Sequence, residues 1–325
     1  MNKTYDVVAL GELLIDFTVS GMSEQGNTIF EANPGGAPCN VLAMLNKLGK
    51  TTAFIGKVGN DMFGKNLKQL ITELGIESKG LVLDDDVRTT LAFVQNFANG
   101  DRDFSFYRNP GADMMLCKEE ITKELIEEAD IFHFGTLSMT HPRVKEATQA
   151  AVKIAKEEKC LISFDPNLRP PLWSKLEDAK AAIEWGMSQC DILKISDNEV
   201  EFVTGKKNYV EGAKILREKY PNIRLLNVTA GADGSYSFYK EHMVFMPSFL
   251  LGGTIDTTGA GDTFCACVLN YVCENDLEHL EQSNLEEMLT FANAAAYLVT
   301  TKKGAIKSMP EKEKIISILG NKKGA

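Results

Sequence analysis

The sequence lacks any run of about 18 consecutive apolar residues, the length that a membrane-spanning helix requires. Its opening residues, from Met1 to Asp6, also lack the apolar core of a secretory signal peptide. We therefore expect neither a membrane protein nor a secreted one, but a protein that works in the cytoplasm.

Cysteine pairs and histidine clusters are missing as well. The 7 cysteines form no Cys-x-x-Cys pair, and the 4 histidines are scattered along the chain. Several cysteines lie in apolar segments, and an odd number cannot all pair with one another. We therefore predict reduced, buried thiols, as in cytoplasmic proteins, and neither disulfides nor a zinc site.

An excess of positive charge is also absent. The chain has 35 Lys and Arg against 45 Asp and Glu, which gives a net charge of −10. This balance argues against a general surface for nucleic acids or anionic membranes. If such a protein binds phosphate, it needs a local site, which fits backbone N–H groups better than a basic patch.

Several familiar catalytic motifs are missing too. The first strand has no G-x-G-x-x-G after it, which weakens the case for a nicotinamide dehydrogenase, and there is no H-E-x-x-H or G-x-S-x-G. Residues 59–66 nearly match a phosphate-binding P-loop, but Asn66 replaces the hydroxyl that would hold Mg²⁺. Because Asn60 and Asp61 are typical of a helix start, an ordinary helix is the better interpretation.

What is present is an α/β pattern. Strand-like segments at 5–10, 53–58, 130–134, 160–164, 191–195 and 225–228 alternate with helical ones, as in a parallel sheet with helices on both faces. Residues 89–97 and 102–107 read as a hairpin joined by Asn99, Gly100 and Asp101. We predict one domain over residues 1–325, with a small β-sheet lid formed by about 12–33 and 88–110.

The most informative stretch runs from Asp256 to Asp262. Gly259 and Gly261 carry no side chains, so backbone N–H groups could close on an anion. A helix is predicted over residues 263–273, and a helix N-terminus favours negative charge. Asp262 would therefore face a bound phosphoryl group, where it could accept a proton from an attacking hydroxyl. The alternative is a simple helix N-cap.

Polar residues follow three of the predicted strands at the point where each strand ends. In open α/β sheets, this edge is where ligands bind. Each segment alone could be a turn, but together with residues 256–262 they predict one site. The residues are Asp165, Asn167 and Arg169 after the first strand, Asn198 and Glu201 after the second, and Thr229, Gly231 and Gly234 after the third.

With these segments assembled, the chain resembles the ribokinase, or PfkB, family of sugar kinases over nearly its whole length. The resemblance rests on Gly35, Gly36 and Asn40 early in the chain, on Asn198-x-x-Glu201 and Thr229-x-Gly231 in the middle, and on residues 256–262. Within the family, residues 34–38 and 165–173 are most similar to fructokinases. The resemblance implies a ribokinase-like fold with a central, mostly parallel sheet.

The resemblance also implies roles for individual residues. Asp262 would be the catalytic base, with Gly259, Ala260 and Gly261 as the anion hole. The sugar side would consist of Asp16, Gly35, Gly36, Asn40, Arg108, Asp165, Asn167 and Arg169. The ATP side would consist of Asn198, Thr229, Gly231, Gly234, Gly259, Gly261 and Asn293. Glu201 would organise Mg²⁺ through water, and Asp256, Thr258 and Ser308 would form a candidate K⁺ site.

The expected activity is transfer of the γ-phosphoryl group of Mg·ATP to the C6 hydroxyl of D-fructose. A 2-keto-3-deoxygluconate kinase or a ribokinase is the alternative within the family, and a sugar-binding regulator without catalysis is the alternative outside it. The aromatic side chains of the hairpin, Phe93, Phe97, Phe104 and Phe106, predict a homodimer formed through the lid.

Overall fold

The computed structural model of the protein describes residues 3–96 and 102–322, apart from the side chains of residues 95–96, 102–104 and 321–322. The predicted turn at residues 99–101 and Phe97 lie outside the described residues, as does the side chain of Phe104. Within the described ranges, no helix is long and apolar enough to cross a membrane. All 7 cysteines lie in these ranges as free thiols; five are buried, and Cys117 and Cys273 are half-buried.

The described chain folds into thirteen strands and ten α-helices. The strands are β1 (Tyr5–Leu10), β2 (Leu14–Met22), β3 (Thr28–Gly35), β4 (Thr52–Gly59), β5 (Ile76–Asp84), β6 (Leu91–Asn96), β7 (Arg102–Tyr107), β8 (Ala129–Gly135), β9 (Leu161–Asp165), β10 (Ile192–Ser196), β11 (Leu225–Thr229), β12 (Ser235–Tyr239) and β13 (His242–Met246). The helices are α1 (Ala37–Lys47), α2 (Met62–Glu73), α3 (Lys123–Glu127), α4 (Pro142–Glu157), α5 (Leu176–Gln189), α6 (Asp197–Thr204), α7 (Tyr209–Lys219), α8 (Ala260–Glu274), α9 (Gln282–Thr300) and α10 (Lys312–Lys322).

Nine strands form the main sheet, in the order β13-β12-β11-β10-β9-β8-β1-β4-β5. The seven from β11 to β5 are parallel, and β12 and β13 are added antiparallel at one edge. Parallel strands are covered on both faces, so their sequences are apolar almost without interruption, as in β1. The predicted α/β fold with a central, mostly parallel sheet is confirmed.

Helices bury both faces of the main sheet. One face packs against α1, α8 and α9, through side chains such as Leu42, Phe264 and Leu289. The opposite face packs against α4, α5 and α7, through Val144 and Ile183 among others. Helix α2 begins as predicted, because the Asp61 side chain accepts a hydrogen bond from the Gly64 N–H at 2.9 Å. The near match to a P-loop is therefore an ordinary capped helix.

A second, four-stranded sheet lies apart from the main one, in the order β3-β2-β6-β7. We call it the lid sheet. Strand β2 pairs antiparallel with β3 and parallel with β6, so that Asp16 lies beside Asn33 on one side and Ala92 on the other. The hairpin strands therefore lie outside the main sheet, as predicted, and β2 brings Asp16 into the second sheet.

The carboxyl ends of the central strands lie in a row. Gly135 is in register with Asp165 between β8 and β9, and Ser196 with Thr229 between β10 and β11. Strand β1 lies between β8 and β4, where the order of the strands along the chain reverses. Ligand sites in open α/β sheets form at such a switch point, beyond the carboxyl ends of the strands.

Candidate active site

A cavity of about 710 Å³ lies between this row of strand ends and the lid sheet. A shallower depression of about 550 Å³ near β13 and the start of α9 is lined by polar side chains and has no glycine loop. We therefore take the larger cavity as the candidate site. Its lining includes thirteen of the predicted residues: Asp16, Gly36, Asn40, Asn167, Arg169, Asn198, Thr229, Gly231, Asp256, Thr258, Gly259, Gly261 and Asp262.

The predicted anion loop forms the N-terminus of α8. Gly259 is the residue that precedes the helix, and its φ of 79° is in the left-handed region that favours glycine. A Cβ atom at Gly259 would lie 2.7 Å from the Cβ of Ala305, so no side chain fits there. Ala260 does not line the cavity, and its N–H donates to the Thr257 carbonyl at 3.3 Å. The loop therefore presents mainly Gly259 and Gly261 to the cavity.

Asp262 lies in the first turn of α8 but does not cap it. Its Oδ2 atom accepts a 2.7 Å hydrogen bond from the Asn40 amide, on a different helix. Burial raises the pKa of the Asp262 carboxyl, while Asn40, Lys194 and Arg169 oppose the rise. A raised pKa makes a carboxylate a better proton acceptor, which suits the predicted base and not the N-cap alternative.

Asn40 is 4% exposed and belongs to both the cavity wall and the first turn of α1. Its amide nitrogen is used by Asp262, whereas its Oδ1 atom is buried and has no hydrogen-bond partner in the part of the chain that the structure describes. A buried oxygen of this kind costs free energy unless a donor meets it. A sugar hydroxyl in the cavity could supply that donor.

The carboxylate of Asp16 reaches the cavity from the lid sheet. Burial raises the pKa of Asp16 to about 6; Arg169 lowers it, and Asp256 and Asp262 raise it further. A Cβ atom at Gly35 would lie 2.3 Å from the Asp16 Oδ2 atom. Gly35 does not line the cavity itself, so its contribution is to leave room for that carboxylate.

Gly36 lines the cavity and turns the chain into α1. Its φ of 126° is one that side chains rarely adopt, and a Cβ atom there would lie 2.3 Å from the Glu12 carbonyl oxygen. Glu12, which the sequence analysis missed, is 3% exposed and accepts a 2.7 Å hydrogen bond from the Ala37 N–H. Burial raises the pKa of Glu12 to about 7. These two residues fix where Asn40 enters the site.

Strands β9 and β10 contribute a buried ion pair. The Lys194 Nζ atom lies 3.0 Å and 3.2 Å from the two carboxylate oxygens of Asp165. Lys194 lines the cavity, whereas Asp165 lies behind it, which argues against the direct substrate contact predicted for Asp165. Asn167 and Arg169, in the loop that follows β9, do line the cavity.

Two acidic residues of α6, Asp197 and Glu199, line the cavity, whereas Glu201, which was predicted to organise Mg²⁺, does not. Glu199 is 6% exposed, and its carboxylate accepts hydrogen bonds from the backbone N–H groups of Leu168 at 2.7 Å and Ser196 at 2.8 Å. Glu201 is exposed and outside the lining. The reason is helical geometry, because two residues turn a helix by about 200°.

Arg108 also does not line the cavity. It is 7% exposed, and its guanidinium forms an ion pair with Asp113 and donates to the Thr140 hydroxyl at 2.8 Å and the Leu137 carbonyl at 3.0 Å. These bonds anchor the end of β7 to the main body. The placement argues against the sugar contact predicted for Arg108.

Two residues predicted for the nucleotide side lie behind the cavity wall. Asn293 accepts from the Ser235 hydroxyl at 2.9 Å and donates to the Met246 carbonyl at 3.0 Å. A Cβ atom at Gly234 would lie 2.3 Å from the same Met246 oxygen. Both residues therefore shape the turn around β12 and β13, and neither contacts the cavity.

The candidate cation residues are only partly assembled. The Asp256 carboxylate accepts from the Thr258 N–H at 2.9 Å, the Thr258 hydroxyl at 2.7 Å and the Gly304 N–H at 3.0 Å. Ser308 lies outside the cavity lining and donates to the Lys303 carbonyl at 2.6 Å. Across the described residues, no cluster of three or more His, Cys, Asp or Glu could hold a metal on its own.

Comparison with known proteins extends this picture. A family described as pfkB family carbohydrate kinase matches residues 5–312. Fructokinase-1 of Zea mays is 40% identical over 315 residues, which cover 96% of this chain and 97% of the maize protein. Probable fructokinase-2 of Arabidopsis thaliana is also 40% identical, over 96% of this chain and 95% of its own length.

Two solved structures with similar folds contain bound ligands. The fructokinase of Xylella fastidiosa with bound ATP has a TM-score of 0.88 and 28% identity, covering 98% of this chain and 99% of that one. A double mutant of the Vibrio cholerae fructokinase with fructose, ADP and potassium ion has a TM-score of 0.86 and 27% identity, with the same coverage.

Proposed function

The chain belongs to the pfkB family of carbohydrate kinases, and from this premise we propose that it transfers the γ-phosphoryl group of ATP to the C6 hydroxyl of D-fructose. The observation that carries the proposal is the position of Asp262. Its carboxylate lies beside the anion loop and is held by Asn40, in a cavity that Asp16 also lines.

The sugar would be held by groups that can pair with several hydroxyls. The Asp16 carboxylate accepts two or more hydrogen bonds, and the Asn40 Oδ1 atom can accept another. Arg169 and Asn167 line the same part of the cavity. Buried polar groups of this kind reject a sugar that leaves them unpaired, at about 1–3 kcal/mol per lost partner.

The transfer step follows from the placement of the loop and the base. The C6 oxygen forms a bond to the γ-phosphorus while the bond from that phosphorus to ADP breaks, and Asp262 accepts the hydroxyl proton. Backbone N–H groups of the α8 N-terminus stabilise the charge on the transferred group. The lid sheet would exclude water, which otherwise competes as the acceptor.

The nucleotide side is formed by the ends of β10 and β11. Thr229 is the last residue of β11, Gly231 follows the strand, and Asn198 lies in the first turn of α6. Gly231 has a φ of 51° and open space where a Cβ atom would lie, so the backbone can approach a phosphate there. Glu199 supplies a buried carboxylate that could order the waters of Mg²⁺, which would neutralise phosphate charge when bound.

The preference for fructose is supported by the relatives, since the proteins named above from maize and Arabidopsis are described as fructokinases. The alternatives within the family, 2-keto-3-deoxygluconate and ribose, differ from fructose in the number and reach of their hydroxyls. An ATP-coupled assay against fructose, ribose, glucose and 2-keto-3-deoxygluconate tests the choice. We expect kcat/KM for fructose to exceed the others by at least ~10-fold, or about 1.4 kcal/mol.

We also propose that K⁺ binds beside Asp256 and Thr258. The Vibrio cholerae structure supports this by analogy, since it contains a bound potassium ion. A cation there would offset the repulsion between Asp256 and the phosphates of ATP. The test compares rates in K⁺ with rates in a bulky organic cation at equal ionic strength. Equal rates would contradict the proposal.

A homodimer formed through the lid sheet is a further part of the proposal. Phe93 stacks on Phe17 with ring centroids 4.9 Å apart and contacts Phe30 and Tyr107 edge-on. Met22 and Tyr107 are still 63% and 67% exposed. Exposed apolar side chains around an aromatic cluster favour a protein partner.

We place the proposed kinase activity in the cytoplasm, a reducing compartment that suits seven free thiols.

A further inference from the structure

The side chain whose position needs most explanation is Lys194, on the central strand β10. Its neighbours Leu193 and Ile195 are buried in the apolar cluster on one face of the sheet, and Ile192 is buried in the cluster on the other. Lys194 is 6% exposed, although an apolar residue would pack there at no electrostatic cost. Strand packing alone therefore does not account for a lysine.

The ammonium of Lys194 lies directly against the anion loop. A Cβ atom at Gly261 would be only 2.9 Å from the Lys194 Nζ atom, so glycine is what allows this approach. Both residues line the cavity, beside Gly259 and Asp262. The positive charge is therefore next to the backbone N–H groups that are expected to face the transferred phosphoryl group.

Asp165 keeps this lysine charged. Burial alone would lower the pKa of the Lys194 ammonium, but the carboxylates of Asp165, Glu199 and Asp262 raise it above its usual value. An ammonium can donate three hydrogen bonds. Among the described residues, Asp165 is its only hydrogen-bond acceptor. Lys194 thus retains the capacity to bind a further anion from the cavity.

We propose that Lys194 is a catalytic residue that contacts the transferred phosphoryl group, and that Asp165 is the positioning residue that holds its ammonium beneath Gly261. This inference rests on the proposed function. As the oxygen–phosphorus bond to the sugar forms and the bond to ADP breaks, Lys194 keeps its protons and stabilises the negative charge on the equatorial phosphoryl oxygens. Asp262 still accepts the hydroxyl proton, and the electron pair of the broken bond leaves with ADP.

The test removes the ammonium without leaving a buried charge. Replacing Lys194 alone would strand Asp165, so the informative protein is the double variant Lys194→Met/Asp165→Asn. We expect its kcat to fall by ~10²–10³, the usual loss when one preorganised group that stabilises charge is removed. Its dissociation constants for ADP and for fructose should stay within about three-fold of wild type.

A binding measurement separates catalysis from structure. ADP with aluminium fluoride, in the presence of fructose and Mg²⁺, mimics the transferred phosphoryl group, and wild type should bind it more tightly than ADP alone. The gain in affinity that aluminium fluoride gives should be at least ~30-fold smaller in the double variant than in wild type. In Asp165→Asn, which keeps the ammonium, this gain should be about ten times larger than in the double variant.

The inference is overturned if the double variant folds and gains as much affinity from aluminium fluoride as wild type does. If it fails to fold, Lys194→Gln/Asp165→Asn, which keeps a hydrogen bond between the two side chains, is judged by the same two affinities. Wild type that transfers no phosphate to fructose would contradict the proposed function instead, and the comparison of ADP with and without aluminium fluoride would still test Lys194.

Discussion

Asn40 and Asp262, which are 222 positions apart in the chain, are joined by a 2.7 Å hydrogen bond from the Asn40 amide to the Asp262 carboxylate. The bond links the first turn of α1 to the first turn of α8 in the wall of the cavity. It leaves the other oxygen of the carboxylate and the Oδ1 atom of Asn40 for the substrate. One contact thus orients the proposed base and a sugar-binding group together.

The first prediction concerns the base. Replacing Asp262 with Asn keeps the size of the side chain but removes its ability to accept a proton. We expect kcat to fall by ~10²–10⁴, with the dissociation constants of ADP and fructose nearly unchanged. Stopped assays with labelled ATP measure the turnover, and calorimetry measures the two affinities. A variant with wild-type turnover would remove the central claim about this residue.

The second prediction is a loss of activity at acidic pH. Asp262 as base and Asp16 as hydrogen-bond acceptor must both be ionised, and burial raises the pKa of both, that of Asp16 to about 6. Protonation on acidification removes each function. The kcat/KM for fructose should therefore fall as pH drops below about 6, and these two groups should cause no loss at higher pH.

The pH profile has its own control. The side chain of Asn in the Asp16→Asn variant cannot titrate. We expect this variant to have a lower kcat/KM for fructose than wild type, and the fall of its kcat/KM at acidic pH should come from Asp262 and no longer from Asp16. Initial rates at limiting fructose between about pH 5 and about pH 9 give the profile. A wild-type profile that stays flat down to about pH 5 would contradict the requirement for ionised carboxylates.

The third prediction tests the space that Gly35 leaves for Asp16. A methyl group at Gly35 would lie 2.3 Å from the Asp16 carboxylate and must displace it. Gly35→Ala should raise KM for fructose by ~10-fold or more and leave KM for ATP within about two-fold. Gly320→Ala is the matched control, since nothing lies within 4 Å of a Cβ atom there. Equal effects on both substrates would indicate a general disturbance of the fold.

The fourth prediction distinguishes two of the three acidic residues of α6, Glu199 and Glu201. Glu199 is buried at the cavity, and Glu201 is exposed outside it. Glu199→Gln should lower kcat by at least ~10-fold and raise the concentration of Mg²⁺ needed for half-maximal rate. Glu201→Gln, which changes the same charge two residues away, should behave like wild type. The opposite result would restore the pairing of Asn198 with Glu201.

Much of the site could be predicted because its signals are local in the sequence. Residues 256–262 combine two glycines, an acid and a helix start, and the structure places them at the N-terminus of α8. Residues at or just beyond the ends of strands, such as Thr229 and Asn167, could be predicted because parallel strands end at one edge. The same reasoning led to the parallel order of β8 to β11.

The predicted residues that do not line the cavity are those for which a side chain's direction or its partner decides its position. The choice between Glu199 and Glu201 depends on where α6 begins, and the signal was available in Ser196-x-x-Glu199, a capping box whose reciprocal bonds the structure shows. Arg108 and Asp165 each lie at or just beyond the end of a strand, but each forms an ion pair, with Asp113 and Lys194 respectively, that the sequence pattern does not indicate. The antiparallel strands β12 and β13 were also missed, since they do not follow the strand–helix alternation.

The last prediction is the dimer. The exposed apolar side chains of the lid sheet, which include Met22, Ile29, Phe30 and Tyr107, surround the stacked rings of Phe17 and Phe93. A stable interface buries about 800 Å² on each partner, and a charge at its centre would be desolvated without a partner. We therefore expect wild type to have twice the chain's mass in light scattering at micromolar concentration. Met22→Glu/Tyr107→Glu should have the mass of a single chain.

A control variant separates the lid from the rest of the surface. Met243 lies on β13, at the edge of the main sheet, and is 52% exposed, so Met243→Glu adds the same kind of charge elsewhere. It should remain dimeric. Because the lid carries Asp16, the monomeric variant should show a higher KM for fructose than the Met243→Glu protein, with an unchanged KM for ATP. A wild-type protein that is monomeric and fully active would show that the lid sheet covers the cavity without a second chain.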